Sequence, residues 1–153
     1  MLLFCQTMEN KNQNPKPLLL SINICDLIFR DEITKKVSLI GLFNTIKAGA
    51  FPAQHNLFHV YVALTNGHGQ YHTTLSIIDV TNDKPIMTVE GDLNFVDPLQ
   101  VLEINFGLQG LRFDKAGKYA FRVTCEGEFV GERIFHIVGP DIVIPPTQGT
   151  EIK

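Results

Sequence analysis

Histidine side chains are the groups in this chain best suited to metal binding, and there are five: His55, His59, His68, His72 and His136. A zinc ion needs three or four ligands at about 2.0–2.3 Å. The strand pairing predicted below sets His59 and His72 four residues apart, roughly 13 Å at about 3.3 Å per residue. His68 and His72 have no evident third ligand. We therefore expect no metal site.

Nucleophilic catalysis would need a serine or cysteine beside a base. The chain has no Gly-x-Ser-x-Gly motif, and Ser21, Ser38 and Ser76 lie within strand-like patterns rather than on a sharp turn. Cys125 and His136 are the one pair that adjacent strands could bring together. Cys125, however, shares its alternation with apolar neighbours, which predicts an unreactive thiol in the core.

Carboxylates of the glycosidase type must face one cleft in pairs. Asp31 lies in a turn, and Glu90 and Asp92 alternate outward on a predicted strand, so solvated faces explain them. Asp26 is different because it interrupts an apolar run, and we expect it to cap or brace the turn at Arg30. These patterns predict no catalytic residue, no cofactor and no enzyme.

Charge and composition argue against several classes of partner. Of 153 residues 13 are basic and 16 acidic, for a net charge of −3, with no basic stripe of the kind that displaces counterions from nucleic acid. The apolar opening Met1–Cys5 is shorter than the roughly 7 residues of a secretory signal core or the roughly 20 of a membrane span. Met8 is an alternative start. We expect neither a nucleic-acid nor a membrane partner.

Three cysteines make an odd count without a Cys-x-x-Cys motif: Cys5, Cys25 and Cys125. Small secreted domains more often carry paired cysteines. Cys25 and Cys125 lie in strand-like runs and are expected to be buried free thiols. A bridge between two sheets stays open if both point inward. The cysteine pattern favours a cytoplasmic protein.

The elements that must position these residues are short strands. Period-2 runs separated by turn residues are typical of an all-β, antiparallel, immunoglobulin-like β-sandwich, here of seven or eight strands with little helix. We expect a disordered lead over residues 1–17, the sandwich over 18–138 and a flexible, proline-rich tail over 139–153. Residues 142–144 could instead add to a sheet edge.

The strongest local pattern joins residues 56–65 to 70–81 through the turn Asn66-Gly67-His68-Gly69. This turn chemistry predicts a tight hairpin. Pairing Thr65 with Gln70 makes one face of the hairpin apolar. The opposite face then carries a mixed polar and aromatic set that could bind a partner: His59, Tyr61, His72 and Thr74.

Two other strands carry specific expectations. Residues 37–46 are apolar on both alternations, which suits a central strand covered on both faces, or one partly covered by a loop or a partner. In the strand that begins at Leu102, Ile104 should point into the core. Replacing it with alanine should then cost about 2–5 kcal/mol through the cavity left behind.

A set of short motifs resembles a bacterial family of small proteins known only as a domain of unknown function. The likeness covers about residues 18–138, with Lys35 where the pattern has glycine, and implies an immunoglobulin-like sandwich with no assigned activity. A turn followed by Gly117 and Tyr119 also resembles a tyrosine corner. The family motifs are Cys25-Asp26, Arg30-Asp31-Glu32, Ser38 to Phe43, Phe51-Pro52, Val60-Tyr61-Val62, Gly110 to Phe113, and Gly117 through Tyr119 to Phe121.

Three functions compete on this basis. The first is a protein-interaction or scaffold module, with an unknown protein or a second copy as partner, because His and Tyr provide amphipathic contact area. The second is a small-ligand or carbohydrate-binding sandwich, which three tyrosines and no tryptophan support weakly. An enzyme is the third. The sequence favours the interaction module.

Overall fold

The computed structural model describes residues 14–153 and has nine strands and no helix over that range. This confirms the all-β prediction, with one or two strands more than expected. Residues 1–13 of the predicted lead lie outside the described part. The strands are β1 Leu18–Arg30, β2 Val37–Leu42, β3 Thr45–Lys47, β4 Ala53–Thr65, β5 Gly69–Asp79, β6 Lys84–Phe95, β7 Leu102–Phe113, β8 Gly117–Cys125 and β9 Glu128–Val138.

These strands form two sheets around one core. The four-stranded sheet has the order β2-β1-β4-β7 and is antiparallel throughout. The five-stranded sheet has the order β3-β9-β8-β5-β6, and only its β3–β9 pair is parallel. Apolar side chains of both sheets meet in a single buried cluster. Each strand turns one alternation toward that cluster, which is why the period-2 pattern is so regular.

The core is built largely from aromatic rings. Phe58 of the four-stranded sheet meets Phe121 of the five-stranded sheet edge-on, with ring centroids 6.0 Å apart. Phe121 stacks on Phe135 at 4.6 Å, and Phe113 meets Tyr119 at 5.1 Å. Such contacts add to the gain from burying apolar area. They join the two sheets.

Tyr119 makes the hydrogen bond expected of a tyrosine corner. Its hydroxyl donates to the Lys115 carbonyl oxygen at 2.7 Å, while the ring is buried. Burial raises the pKa of Tyr119, and the charge of Asp79 raises it further. The phenol is therefore held as a neutral donor, which closes the turn between β7 and β8.

Residues 37–46 are two strands rather than the single one predicted. β2 lies beside β1, whereas β3 lies beside β9 in the other sheet. The chain crosses between them: the Phe43 amide donates to Ile24 of β1 at 3.1 Å, and the Asn44 carbonyl accepts from His136 of β9 at 3.0 Å. The apolar residues on both alternations therefore serve two different sheets.

The predicted hairpin of residues 56–65 with 70–81 is wrong. β4 pairs with β1 and β7, and β5 pairs with β6 and β8. The connecting turn carries the chain from one sheet to the other, with Gly67 so close to the Phe95 ring that a β-carbon would overlap it. Both arrangements bury the same alternation, because facing strands and paired strands alike turn their apolar sides to one core.

The two ends of the domain differ in their contacts. The Pro15 carbonyl accepts a hydrogen bond from the Tyr71 hydroxyl at 2.6 Å, which ties the start of the described chain to β5. Residues 139–153 form no strand, and a bond from the Ile142 amide to the Gly139 carbonyl at 3.3 Å closes a turn after β9. The flexibility of this tail stays a prediction.

Ile104 points toward the core as predicted, but it is only half-buried because β7 is an edge strand. Since the cost of a cavity grows with burial, we expect Ile104→Ala to lower the free energy of unfolding by about 1–2 kcal/mol rather than the 2–5 of a fully buried site. Chemical denaturation would measure this. A loss above 3 kcal/mol, or none, would contradict the half-buried position.

Candidate functional site

The four residues predicted to share a binding face lie on opposite sides of the molecule. His59 and Tyr61 are on the outer face of the four-stranded sheet, between buried core residues of β4. His72 and Thr74 are on the outer face of the five-stranded sheet. The correction follows directly from the absence of a β4–β5 pair. No single polar face unites them.

On the five-stranded sheet the predicted residues are engaged with their neighbours. His72 lies between two acids of β6, with Nδ1 3.2 Å from Asp92 and Nε2 3.5 Å from Glu90. The Thr74 hydroxyl is hydrogen-bonded to that of Thr124. These side chains are about half exposed or more at His72 and its acids, so the pairs are solvent-screened. This face is an ordinary hydrogen-bonded sheet surface.

On the four-stranded sheet the two predicted residues are also paired with β7. His59 Nδ1 lies 2.9 Å from the Asn105 side-chain oxygen. The Tyr61 hydroxyl donates to Glu103 at 2.5 Å, and Arg30 reaches the other oxygen of Glu103 at 3.4 Å. The last contact is unexpected, because Arg30 belongs to the far end of β1.

The register shows how far Arg30 must have moved from a straight path. Glu103 is level with Ala63 of β4, and Ala63 with Ser21 of β1. Arg30 lies nine residues beyond Ser21, about 30 Å along an unbent strand. An ion pair at 3.4 Å therefore requires β1 to bend back over the outer face of its own sheet.

The bend follows the point where β1 leaves β4. Their last pair is Cys25 with His59, whereas β1 and β2 stay paired as far as Arg30 with Val37. Residues 26–41 therefore form a two-stranded hairpin without a third strand, which we call the arm. Two-stranded ribbons twist more strongly than wide sheets, so the arm can leave the sheet plane.

The tip of the arm is fixed by local hydrogen bonds. The Asp31 side chain accepts from the amides of Ile33 at 2.9 Å and Thr34 at 2.6 Å, and these bonds lower the pKa of Asp31. Lys35 has φ of 61°, a conformation that favours the glycine of the family pattern. The Arg30 side chain donates to the Lys35 carbonyl at 2.9 Å. Asp31, not Asp26 as predicted, braces this turn.

The two faces of the arm have different surroundings. Ile28 and Val37 are half-buried beside Tyr61 and Asn105, around a cleft of about 120 Å³. The surface ion pair of Arg30 contributes at most about 1 kcal/mol, so apolar packing is the larger hold on the arm. The opposite face remains open to solvent although its large side chains are apolar: Leu27 49% exposed, Phe29 54%, Ile40 51% and Leu42 62%.

We call these four side chains the arm face. The pairing of β1 with β2 sets Leu27 opposite Ile40 and Phe29 opposite Ser38, and Leu42 lies opposite the buried Cys25. A contiguous apolar group on a fixed hairpin is the type of surface that marks an interaction site. The sequence signal for it was the double alternation of residues 37–46, which predicted cover by a loop or a partner.

The arrangements considered for catalysis or metal binding are not brought together. Cys125 is level with Glu128, and His136 lies eight residues along β9, about 26 Å away. Burial raises the pKa of the Cys125 thiol, although a hydrogen bond with Thr73 opposes the shift. Cys25 and Cys125 are both buried and free, as predicted. Within residues 14–153, no three His, Cys, Asp or Glu side chains gather as a metal site would require.

Burial of the phenol, its hydrogen bond to Glu103 and the charge of that acid raise the pKa of Tyr61 from 10.0 to about 12. Between pH 10 and 12 the unfolded chain therefore loses this proton while the folded chain keeps it. The free energy of unfolding should fall as pH rises through that window and stay unaffected by this group below pH 10.

Tyr61→Phe should remove this part of the decline, leaving the contribution of Tyr119, whose pKa is also raised. Denaturant unfolding of both proteins from pH 9 to 12 would measure the difference. Parallel curves for the two proteins would show that Tyr61 is not held by Glu103 in solution.

The fold and the arm define a class: a small all-β domain of two packed sheets, one of which extends an apolar hairpin over its outer face. A family model described as a family of unknown function, DUF6941, matches residues 20–138, and the chain belongs to that family. The match includes the whole arm. A search of curated proteins found no match. Over the described range no helix has the length and hydropathy to cross a membrane.

Proposed function

We propose that this chain is a non-enzymatic protein-interaction module that binds its partner through the arm face. The observation that carries the proposal is the half-exposure of Leu27, Phe29, Ile40 and Leu42 on one side of a single hairpin. Burying half of such a side chain gains about 1 kcal/mol, so four of them could supply several kcal/mol of binding free energy.

The arm is suited to this role because it is already shaped. Its tip is tied by the Asp31 hydrogen bonds, and its inner face rests on the sheet beside Tyr61. A partner therefore meets side chains that have less conformational freedom to lose on binding. The residues proposed from sequence, His59 and Tyr61, lie on the sheet that the arm crosses, whereas His72 and Thr74 lie on the far side and take no part.

The proposal extends to the type of fold and its setting. An immunoglobulin-like sandwich is supported by the tyrosine-corner hydrogen bond of Tyr119 and by the division into four and five strands. A bacterial cytoplasm is supported by the family resemblance and by the free thiols of Cys25 and Cys125. Carbohydrate binding has less support, since the Tyr61 hydroxyl is engaged by Glu103 and no tryptophan offers a stacking platform.

A photo-crosslinking residue at position 29 would test the arm face in the cells that make the protein. Position 134 is the matched control, because Ile134 is 42% exposed on the outer face of the five-stranded sheet. We expect a discrete protein adduct from position 29 and none from position 134. No adduct from position 29, or equal adducts from both positions, would remove the support for this surface.

A further inference from the structure

We propose that the partner at the arm face is a second copy of this chain, joined through the free edge of β2 in a two-fold symmetric dimer. The inference rests on the proposed function of the arm. It follows from the position of β2 at the edge of its sheet, from the apolar character of that strand, and from the charges at its ends.

β2 has an open backbone edge. Its one strand neighbour is β1, and among residues 14–153 no backbone hydrogen bond reaches its other side. Unpaired amide and carbonyl groups on an edge strand are a template for another strand. The side chains beside this edge, Ile40 and Leu42, are apolar and more than half exposed.

The other sheet edges carry features that discourage pairing. β3 is three residues long, β6 carries Pro85 and the exposed acids Glu90 and Asp92, and β7 has Gly110 at φ of 69° within its length. Short strands, proline, charge and irregular backbone all protect an edge. β2 alone among the four described edges combines six regular residues with an apolar surface.

Two-fold symmetry suits the sequence of β2. An antiparallel pair of β2 strands centred on Ile40 sets Ile40 against its own copy and Leu42 against Ser38. Lys35 and Lys36, at the start of each β2, then lie at opposite ends of the pair. A parallel pair would bring the lysines of both copies together, and like charges side by side are unfavourable. The antiparallel dimer is therefore the compatible one.

The area of the arm face sets the expected strength. Four half-exposed Leu, Ile and Phe side chains offer on the order of 400 Å² of apolar surface per copy, and the strand edge adds to it. The total buried by two copies is then about 1,000 Å², at the lower end of specific interfaces. We expect a dimer that forms and dissociates with concentration rather than an obligate one.

Sedimentation velocity of the full chain over a wide concentration range tests the dimer. The mass should rise with concentration from 17.1 kDa toward twice that value. Ile40→Lys should weaken dimerisation by at least about tenfold, because two ammonium groups would face each other at the axis. Ile134→Lys, which adds the same charge on the other sheet, should dimerise like the unchanged chain.

The outcomes separate the dimer from the proposed function. A chain that stays monomeric at every concentration overturns the dimer, and so does an Ile40→Lys variant that is folded, by its thermal unfolding, and still dimerises normally. If the crosslinker at position 29 then captures a different protein, the arm face remains an interaction surface with another partner. An adduct between position 29 and residues 1–13 of the same chain would assign the surface to its own N-terminal segment and overturn the dimer too.

Discussion

Replacing Phe121 with alanine should lower the free energy of unfolding by about 3–5 kcal/mol, the range for deleting a fully buried phenyl ring. Phe121 has no exposed surface. Its ring stacks on Phe135 at 4.6 Å and meets Phe58 of the opposite sheet at 6.0 Å. The substitution removes the contact that joins the two sheets as well as the area that the ring buries.

Phe129→Ala is the matched control, because Phe129 lies in the neighbouring strand β9 and is 52% exposed. Its loss should cost less than about 1 kcal/mol, as surface substitutions usually do. Urea denaturation of the three proteins gives the comparison, and the melting temperature of Phe121→Ala should fall by on the order of 10 °C. A cost below 2 kcal/mol for Phe121 would mean that the sheets are not held together at this ring.

The sequence predicted which segments are strands and which side chains enter the core, because both depend on local alternation. Val60 and Val62 are fully buried, and Ile104 and Phe106 pack against the same cluster, as the pattern of each strand indicates. The pattern could not predict which strands are neighbours. β4 and β5 each present an apolar alternation to one core, and this is satisfied across the core as well as within a hairpin.

The turn chemistry that suggested a hairpin has another cause. Gly67 is needed because the Phe95 ring occupies the space of a β-carbon, and Asn66 has φ of 63° as the chain passes between sheets. Positive φ and close approach favour Asn and Gly in such a crossing as much as in a tight turn. The local residues were interpreted correctly as a turn, but its two strands belong to different sheets.

The candidate site could be predicted only in part. The double alternation of residues 37–46 correctly indicated apolar side chains outside the core, and Ile40 and Leu42 are those side chains. The bend of β1 after Cys25 depends on a contact between Arg30 and Glu103, 73 residues apart in the chain. Nothing in the local sequence of either residue announces that contact, so the arm is a feature of tertiary structure.

The bend does have a local requirement, at Gly41. This residue has φ of 71°, and a β-carbon built on it would lie 3.0 Å from Asp26 Cγ and closer still to the carboxylate. Asp26 and Gly41 lie at the base of the arm, next to the last pair of β1 with β4. Glycine is therefore needed here both for the backbone conformation and for the space beside Asp26.

Gly41→Ala should therefore lower the free energy of unfolding by about 2–4 kcal/mol, the sum of left-handed backbone strain and overlap with Asp26. Gly127→Ala is the control for the strain alone, because Gly127 has φ of 74° and nothing lies within 4 Å of its added β-carbon. The control should cost about 1 kcal/mol. Denaturant unfolding measures both values.

The overlap can be separated from the strain by a double-mutant cycle. In an Asp26→Ala background the carboxylate is gone, so the cost of Gly41→Ala should fall toward that of Gly127→Ala. Equal costs for the two glycines in the unchanged chain would show that Asp26 has room to move. Because Gly41 is part of β2, Gly41→Ala should also speed hydrogen exchange of the amides in 37–42 more than Gly127→Ala does. Loosening of the arm without loss of the core would show that the arm face is set by its base, where the strand leaves the sheet.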